Sequence, residues 1–160
     1  MTPPPDDEPR LYPPPESPVA VVVGVDLLAR GRLGRGYERR GERLLTRIFT
    51  PKEIDEAHGQ IPRLEGRFAA KEACAKALGV GIGKFASWLE IEIVRLPSGK
   101  PVLNLRGGAA ARARELGVTA FDVSISDTRE LVMAVVVGVR DPNPPNRAQS
   151  SSPTDLSSGR

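Results

Sequence analysis

The stretch Arg67-Phe-Ala-Ala-Lys-Glu-Ala-Cys-Ala-Lys76 lies inside the clearest helical pattern of the chain. Residues from Pro62 to Leu78 are rich in Ala, Leu, Arg, Lys and Glu, and Gly79 follows as a typical residue just past a helix end. Glu72 and Lys76 are four residues apart and therefore share one helix face. The small Ala and Cys side chains beside them leave room for a ligand or another backbone. Taken alone, this spacing fits a solvated ion pair more simply than a metal and phosphate site.

Two further motifs carry groups that bind cations or phosphates. Val19 to Val25 is a β-branched run that predicts a buried strand with Asp26 at its C-terminal end. Asp26 could cap a turn or helix, or it could bind a hard cation such as Mg²⁺. Gly79-Val-Gly-Ile-Gly83 could bring backbone N–H groups against a phosphate, or it could form a helix cap and a turn. No Lys-Ser/Thr follows in register, so this turn is not a P-loop.

The two ends of the chain differ from its middle. Eight of the 16 prolines fall in residues 1–18, and four more fall in residues 141–160 together with several serines. Neither end shows the apolar periodicity that a buried segment needs. The sequence therefore predicts a disordered N-terminal extension over residues 1–18, one folded domain over residues 19–140 and a disordered tail over residues 141–160.

Charge is concentrated in the predicted domain. Residues 1–18 carry one basic and four acidic side chains, so residues 19–140 hold a net charge of +6 against +3 for the whole chain. A basic domain indicates an acidic partner or a phosphorylated ligand. The single cysteine fits a reducing compartment, and the sequence contains neither a signal peptide nor an apolar run of membrane-spanning length. We therefore expect a cytoplasmic protein with no membrane partner.

The remaining patterns predict alternating helices and strands. A helical pattern interrupted by glycines runs from Arg30 to Phe49, and Thr50-Pro-Lys-Glu53 has the composition of a helix start. Leu89 to Val94 alternates strictly, which predicts a half-buried strand. Further segments are predicted as a strand, a helix and a strand hairpin: Val102–Leu105, Gly107–Leu116, and Phe121–Ser126 with Leu131–Val139. The fold class is α+β with antiparallel pairing.

The order of these motifs resembles one family. Gly24-Val-Asp26, an Arg-rich helix, Phe-Thr-Pro-x-Glu, Arg-Phe-Ala-Ala-Lys-Glu-Ala, Gly-x-Gly-Ile-Gly, Ser-Gly-Lys-Pro and Val-Ser-Ile-Ser follow one another over about residues 20–139. This succession closely resembles the small holo-acyl-carrier-protein synthases of the 4′-phosphopantetheinyl transferase superfamily. The resemblance implies a 4′-phosphopantetheinyl transferase-like fold, with an antiparallel sheet packed against helices. It also implies a homotrimer with active sites between subunits.

The resemblance further implies a reaction and its residues. The enzyme would transfer 4′-phosphopantetheine from coenzyme A to a serine of apo-acyl carrier protein in the presence of Mg²⁺, releasing adenosine 3′,5′-bisphosphate. Asp26 and Glu72 would hold the metal, and Lys76 would complete the catalytic set by facing the phosphates. Either Glu72 or a metal-bound water next to it would accept the serine proton. The cofactor-binding residues implied by the resemblance are Lys76, Gly79, Gly81, Gly83 and Arg67.

A carrier-protein docking surface is also implied. Residues 29–47 carry seven arginines against two glutamates, and the carrier proteins of this family are acidic. Arg32 and Arg43 match the family's docking positions best, with Arg39 and Arg40 as neighbours. A solvated helix face is the alternative interpretation of these charges. Charges at an interface rim act mainly on the association rate and its salt dependence.

One position departs from the family pattern. Many family members have a histidine after the Ser-x-Ser of the penultimate strand, near the 3′-phosphate of the cofactor, where this chain has Asp127. An ionised Asp repels phosphate, so the role of that histidine is not transferred. Arg129 or Lys84 is proposed as the substitute positive charge.

The sequence is also compatible with three alternative functions. The same chemistry could act on a carrier domain of a polyketide or peptide synthase. A basic α+β domain could instead bind nucleic acid, although aromatics are few and the arginines cluster on one predicted helix rather than across a sheet, so we expect no nucleic-acid partner. A non-catalytic trimeric scaffold is disfavoured because the metal-binding and lysine positions are all present.

Overall fold

A three-stranded antiparallel sheet and a two-stranded hairpin surround one long helix. The computed structural model describes residues 21–83 and 86–141, so the predicted disordered segments lie outside the described residues except for Asp141. In chain order the elements are β1 (Val21–Ala29), α1 (Arg32–Arg40), α2 (Glu42–Ile48), α3 (Pro51–Glu56), α4 (Ile61–Ala77), a 3₁₀ turn (Trp88–Glu90), β2 (Ile91–Arg95), β3 (Pro101–Leu105), α5 (Gly107–Glu115), β4 (Val118–Asp127) and β5 (Leu131–Arg140). The larger sheet has the order β1-β5-β4, and β2 pairs with β3. The predicted α+β class with antiparallel pairing is confirmed.

Helix α4 packs against one face of the larger sheet through small side chains. Ala69, Ala73 and Cys74 of α4 are fully buried against the inward side chains of β1 and β5. At Gly24 of β1 the two backbones come so close that a Cβ atom would lie 1.9 Å from the carbonyl oxygen of Ala73. Glycine at this position therefore sets the distance between β1 and α4. The sequence motif Gly-x-Asp thus has a packing reason for its glycine.

Strand β1 is longer and less buried than predicted. It continues past Asp26 to Ala29, so Asp26 lies inside the strand, opposite Ala134 of β5, rather than at its end. Only alternate residues face the helix. The outward face of the sheet carries apolar side chains that are at least 37% exposed: Val21, Val23, Val25, Leu27, Leu131, Met133, Val137 and Val139.

The glycine-interrupted helical pattern forms two helices. Helices α1 and α2 meet at Gly41, and together with Phe49 and Leu64 they form a second small core. The predicted start of α3 is confirmed by a capping box, in which the Thr50 hydroxyl accepts from the Glu53 N–H and the Glu53 carboxylate accepts from the Thr50 N–H. This cap fixes Glu53 in the interior.

Strand β2 is buried on both faces, so the prediction of a half-buried strand is wrong. Residues 91–94 are all buried, and Glu92 is 4% exposed although the alternation placed it in solvent. Its carboxylate accepts hydrogen bonds from the Thr50 hydroxyl (2.8 Å), the Asn104 amide (3.2 Å) and the Arg106 guanidinium (3.2 Å). Polar partners from neighbouring elements therefore make the burial of this acid possible.

Candidate active site

The contact between β1 and α4 brings Asp26 and Lys76 together. Lys76 Nζ lies 2.9 Å from Asp26 Oδ1 and 2.9 Å from the carbonyl oxygen of Val25. The lysine side chain is 52% exposed and the aspartate side chain 15% exposed. The close approach at Gly24 gives this short reach, because Asp26 lies two residues further along the same strand face. The pair therefore borders solvent at one side.

Glu72 lies one helical turn before Lys76 and is half-buried. Burial raises the pKa of its carboxyl, and the negative charge of Asp26 raises it further, whereas Lys76 and Arg32 lower it. Two carboxylates that repel each other in a partly dry setting are stabilised by a cation between them. Across residues 21–83 and 86–141, His, Cys, Asp and Glu side chains form no metal-binding group of three or more. Mg²⁺, which takes few protein ligands and several waters or phosphate oxygens, fits such a two-carboxylate site.

The N–H groups of the glycine turn after α4 differ in whether they form hydrogen bonds within the described residues. Gly79 adopts a positive φ of 66° and donates its N–H to the Lys76 carbonyl, while Val80 donates to Ala75, which is the usual hydrogen-bond pattern of a glycine helix end. The Gly83 N–H donates to Ala86. Gly81 is exposed, and its N–H donates to no described residue. Of the three predicted glycine contacts, Gly81 keeps a backbone donor available on the described surface.

Arg67 is not placed at this site. Its side chain is 4% exposed, and its guanidinium donates to the carbonyls of Ile93 and Arg63 and to the Glu56 carboxylate. These protein partners engage the buried guanidinium, and the cofactor-binding role of Arg67 stays a prediction. The Arg67 side chain joins α4 to β2 and α3.

The predicted docking arginines line one groove. Arg32, Arg39, Arg40 and Arg43 are joined there by Arg47, around a cavity of about 880 Å³. In the described part of the chain none of these five side chains forms a salt bridge. The floor of the groove is apolar and includes Leu28, Leu33, Leu44, Ile48, Phe68 and Trp88. The groove thus presents unpaired positive charge above an apolar base.

Two residues near the site, Glu65 and Arg30, were not predicted from the sequence. Glu65 of α4 is buried and accepts the Leu33 N–H at 3.3 Å, which ties the start of α1 to α4. Arg30 pairs with Asp127 and donates to the Thr128 carbonyl at 2.8 Å. The position of Glu65, two helical turns before Glu72, is a signal that could have identified it. The Arg30–Asp127 pair had no local signal, because the two residues are 97 positions apart in the sequence. The proposed substitute Lys84 lies outside the described residues, and no partner is found for the exposed Arg129 side chain among them.

Known proteins similar to this chain come from one family. A sequence model of the 4′-phosphopantetheinyl transferase superfamily matches residues 22–136. A holo-[acyl-carrier-protein] synthase of Methylobacterium sp. (strain 4-46) is 47% identical over 124 residues, covering 73% of this chain and 92% of the relative. The crystal structure of the Neisseria meningitidis synthase has a TM-score of 0.68 at 33% identity, covering 74% of this chain and 98% of that chain. The Helicobacter pylori synthase in complex with coenzyme A has a TM-score of 0.66 at 33% identity, covering 72% and 98%.

The chain therefore belongs to the 4′-phosphopantetheinyl transferase superfamily and, within it, to the small holo-[acyl-carrier-protein] synthases. The family assignment predicted from motif order is confirmed. No helix in the described residues is both long and apolar enough to cross a membrane.

Proposed function

We propose that the protein transfers 4′-phosphopantetheine from coenzyme A to a serine of apo-acyl carrier protein, yielding the holo-carrier and adenosine 3′,5′-bisphosphate. The observation that carries this proposal is the cluster of Asp26, Glu72 and Lys76 across the contact between β1 and α4. It joins two carboxylates to a half-exposed lysine. The single cysteine of the chain, Cys74, is buried with its pKa raised to about 12, so it supplies neither a nucleophile nor a disulfide. A single inert thiol fits a reducing compartment, so we place the reaction in the cytoplasm.

The two carboxylates fit a magnesium ion. Asp26 and Glu72 would hold it, and its charge would offset the burial and the repulsion from Asp26 that together raise the pKa of Glu72 in the metal-free chain. When bound, Mg²⁺ would neutralise negative charge that develops on the pyrophosphate. Asp26 already has a cationic neighbour in this structure, because Lys76 Nζ lies 2.9 Å from its Oδ1.

The other steps belong to side chains of this chain. Lys76, with about half of its side chain in solvent, can turn from Asp26 toward the pyrophosphate and bind it. The carrier serine oxygen attacks the phosphorus that bears pantetheine, and the phosphoanhydride bond to adenosine 3′,5′-bisphosphate breaks. We propose that Glu72 receives the serine proton, since it is a half-buried carboxylate one helical turn from the lysine that would face the phosphates.

Mass spectrometry tests the reaction directly. The purified full chain is incubated with apo-carrier, coenzyme A and Mg²⁺, and the carrier is weighed. A mass gain equal to phosphopantetheine that disappears without the metal is expected. Parallel reactions with fatty-acid, polyketide and peptide synthase carriers identify the preferred partner. No mass gain with any carrier would refute the proposal.

The arginine groove supports an acidic partner. None of its five arginines forms a salt bridge within the described ranges, and the resemblance implies an acidic carrier. We expect the KM for the carrier to rise with ionic strength while the KM for coenzyme A changes less. Arg32→Glu should raise the carrier KM about 10-fold or more, because it replaces an attractive charge in the groove with one that repels an acidic carrier. An unchanged carrier KM would remove this surface from docking.

The exposed face of the larger sheet supports a homotrimer with active sites at subunit interfaces. Eight apolar side chains at least 37% exposed form a continuous patch on β1 and β5. An apolar patch of this kind is costly in water and typically marks an interface. Light scattering on the full chain should report three copies, and Val23→Glu should dissociate them. A monomer in the unsubstituted chain would contradict this assembly.

A further inference from the structure

The lining of the arginine groove is basic and apolar, and a ligand that complements it has two matching properties. Its rim carries five guanidinium groups, so the ligand must be anionic. Its floor includes Phe68 and Trp88, whose rings stack at a centroid distance of 5.0 Å, so the ligand must also offer an apolar group. A phosphate or a simple acidic run satisfies only the first requirement.

One segment of the chain itself has both properties. We propose that residues 6–12, Asp-Asp-Glu-Pro-Arg-Leu-Tyr, occupy this groove in the free enzyme. The three consecutive acids complement the arginine rim, and Leu11 with Tyr12 complements the apolar floor. This segment precedes residue 22, where the match to the family begins, so the contact is a property of this chain rather than of the shared domain.

The chain is long enough for this contact. The groove includes Leu28, seven residues after Val21 along β1, a distance of about 24 Å for a strand. Leu11 lies ten residue steps before Val21, and an extended or polyproline chain of ten steps can span about 31 Å. The acidic residues lie further back and have correspondingly more reach. The short connection keeps the segment close to the groove and raises its effective concentration there.

Other occupants fit less well. Residues 142–160 carry one acid and two arginines, so that tail does not complement a basic groove. Two copies that met groove to groove would bring arginines against arginines. The acidic N-terminal segment is the occupant that charge favours.

The consequence is regulation of carrier access, and this part rests on the proposed function. A segment that occupies the docking groove competes with the acidic carrier and leaves the coenzyme A site unaffected. It raises the KM for the carrier without lowering kcat at saturating carrier. Because both contacts are electrostatic, the competition weakens as salt is added.

The groove contains its own reporter. Trp88 is the only tryptophan of the chain, so its fluorescence quenching by neutral acrylamide measures access to the groove floor without reference to activity. The full chain is compared with the full-length variant Asp6→Asn/Asp7→Asn/Glu8→Gln at low and at high salt. Higher quenching of the variant at low salt, and equal quenching at high salt, is expected. Asp155→Asn in the other tail is the control and should match the unsubstituted chain.

The arginine side is tested in the same assay. With Arg39→Gln/Arg40→Gln in the background, neutralising the three acids should no longer change the quenching, because the two sets of charges act as one contact. In the transferase assay the acid-neutralised variant should show a carrier KM about three-fold lower at low salt, with kcat unchanged. Equal quenching of the unsubstituted and acid-neutralised chains at low salt overturns the proposal, whatever the activity result. Failure to modify any carrier would instead refute the proposed function and leave the fluorescence result standing.

Discussion

Helix α4 carries two lysine–carboxylate pairs that have nearly the same distance but different surroundings. Lys71 Nζ lies 2.8 Å from Glu53 Oε2, with both side chains fully buried. Lys76 Nζ lies 2.9 Å from Asp26 Oδ1, with 52% of the lysine side chain exposed. The two lysines are five residues apart and point to different neighbours, the first to α3 and the second to β1.

The buried pair is saturated with partners. Glu53 also accepts the N–H groups of Ile93 (2.9 Å) and Thr50 (2.8 Å), and Lys71 also donates to the Trp88 carbonyl (2.9 Å). Burial lowers the pKa of Lys71, and the charge of Glu53 opposes that shift. Except for the capping bond from the Thr50 N–H, the bonds of this pair join α3 and α4 to each other and to the Trp88–Arg95 segment, so the pair functions as a structural clamp.

The exposed Lys76–Asp26 pair can still bind further partners. Lys76 can leave Asp26 without being buried alone, and Glu72 beside it already carries a raised pKa from burial and from Asp26. The comparison teaches that one chemical pair is structural where water is excluded and available for ligand binding where water reaches it.

The largest expected effect separates the two regions by activity. Glu72→Gln should lower transfer about 100- to 10,000-fold, since it removes the proposed proton acceptor and a metal ligand, without lowering the thermal unfolding midpoint. The control, Glu53→Gln, should do the reverse: it lowers stability and leaves the folded fraction active. Steady-state kinetics and thermal unfolding of both variants provide the measurement. Substantial activity of Glu72→Gln at saturating Mg²⁺ would exclude Glu72 from the mechanism.

The next effect separates the two lysines by stability. Lys71→Met leaves the Glu53 carboxylate buried without its cation and should cost about 3 to 5 kcal/mol in the free energy of unfolding. Lys76→Met, at the half-exposed pair, should change stability by less than about 1 kcal/mol. Urea unfolding at fixed protein concentration compares them. Similar values for the two variants would show that burial does not distinguish the pairs.

The position of the Lys76–Asp26 pair depends on the distance between β1 and α4. Gly24→Ala places a Cβ atom 1.9 Å from the Ala73 carbonyl oxygen and should cost about 1 to 3 kcal/mol, because strand and helix must separate. Activity should fall as well, since Asp26 moves with the strand. Gly81→Ala is the matched control, as a Cβ there meets no atom within 4 Å. If Gly24→Ala unfolds at the same temperature as Gly81→Ala, close packing does not position the site.

The smallest expected effect concerns Glu92, a buried carboxylate whose ion-pair partner Arg106 is largely exposed. Burial disfavours its charged form, but hydrogen bonds from Thr50 and Asn104 and the charges of Arg106 and Lys52 outweigh burial and lower its pKa. Its folded pKa lies below the unfolded value of about 4.3, so its stabilisation is present above that pH and is lost as pH falls through the folded pKa. Glu92→Gln should therefore cost about 1 kcal/mol at pH 7 and less near pH 3, measured by urea unfolding. A difference that does not change with pH would contradict this role.

Much of the fold could be predicted because local signals were strong. The composition of α4, the glycine after it and the capping box before α3 depend on neighbours within a few residues. The burial of Glu92 and the structural role of Arg67 could not be predicted, because their partners lie on elements far away in sequence. Periodicity reports which side of a strand is apolar, and it is silent on polar groups that are satisfied in the interior.

The motif Arg-Phe-Ala-Ala-Lys-Glu-Ala-Cys-Ala-Lys determined by itself that a helix presents Glu72 and Lys76 on one face, because helical spacing is fixed by local geometry. Only the tertiary structure decided which lysine is available. Lys71 and Lys76 have the same chemistry, but packing places one against Glu53 in a dry interior and the other against Asp26 at the solvent border. Solvent access is a property of the assembled fold, so no local pattern encodes it.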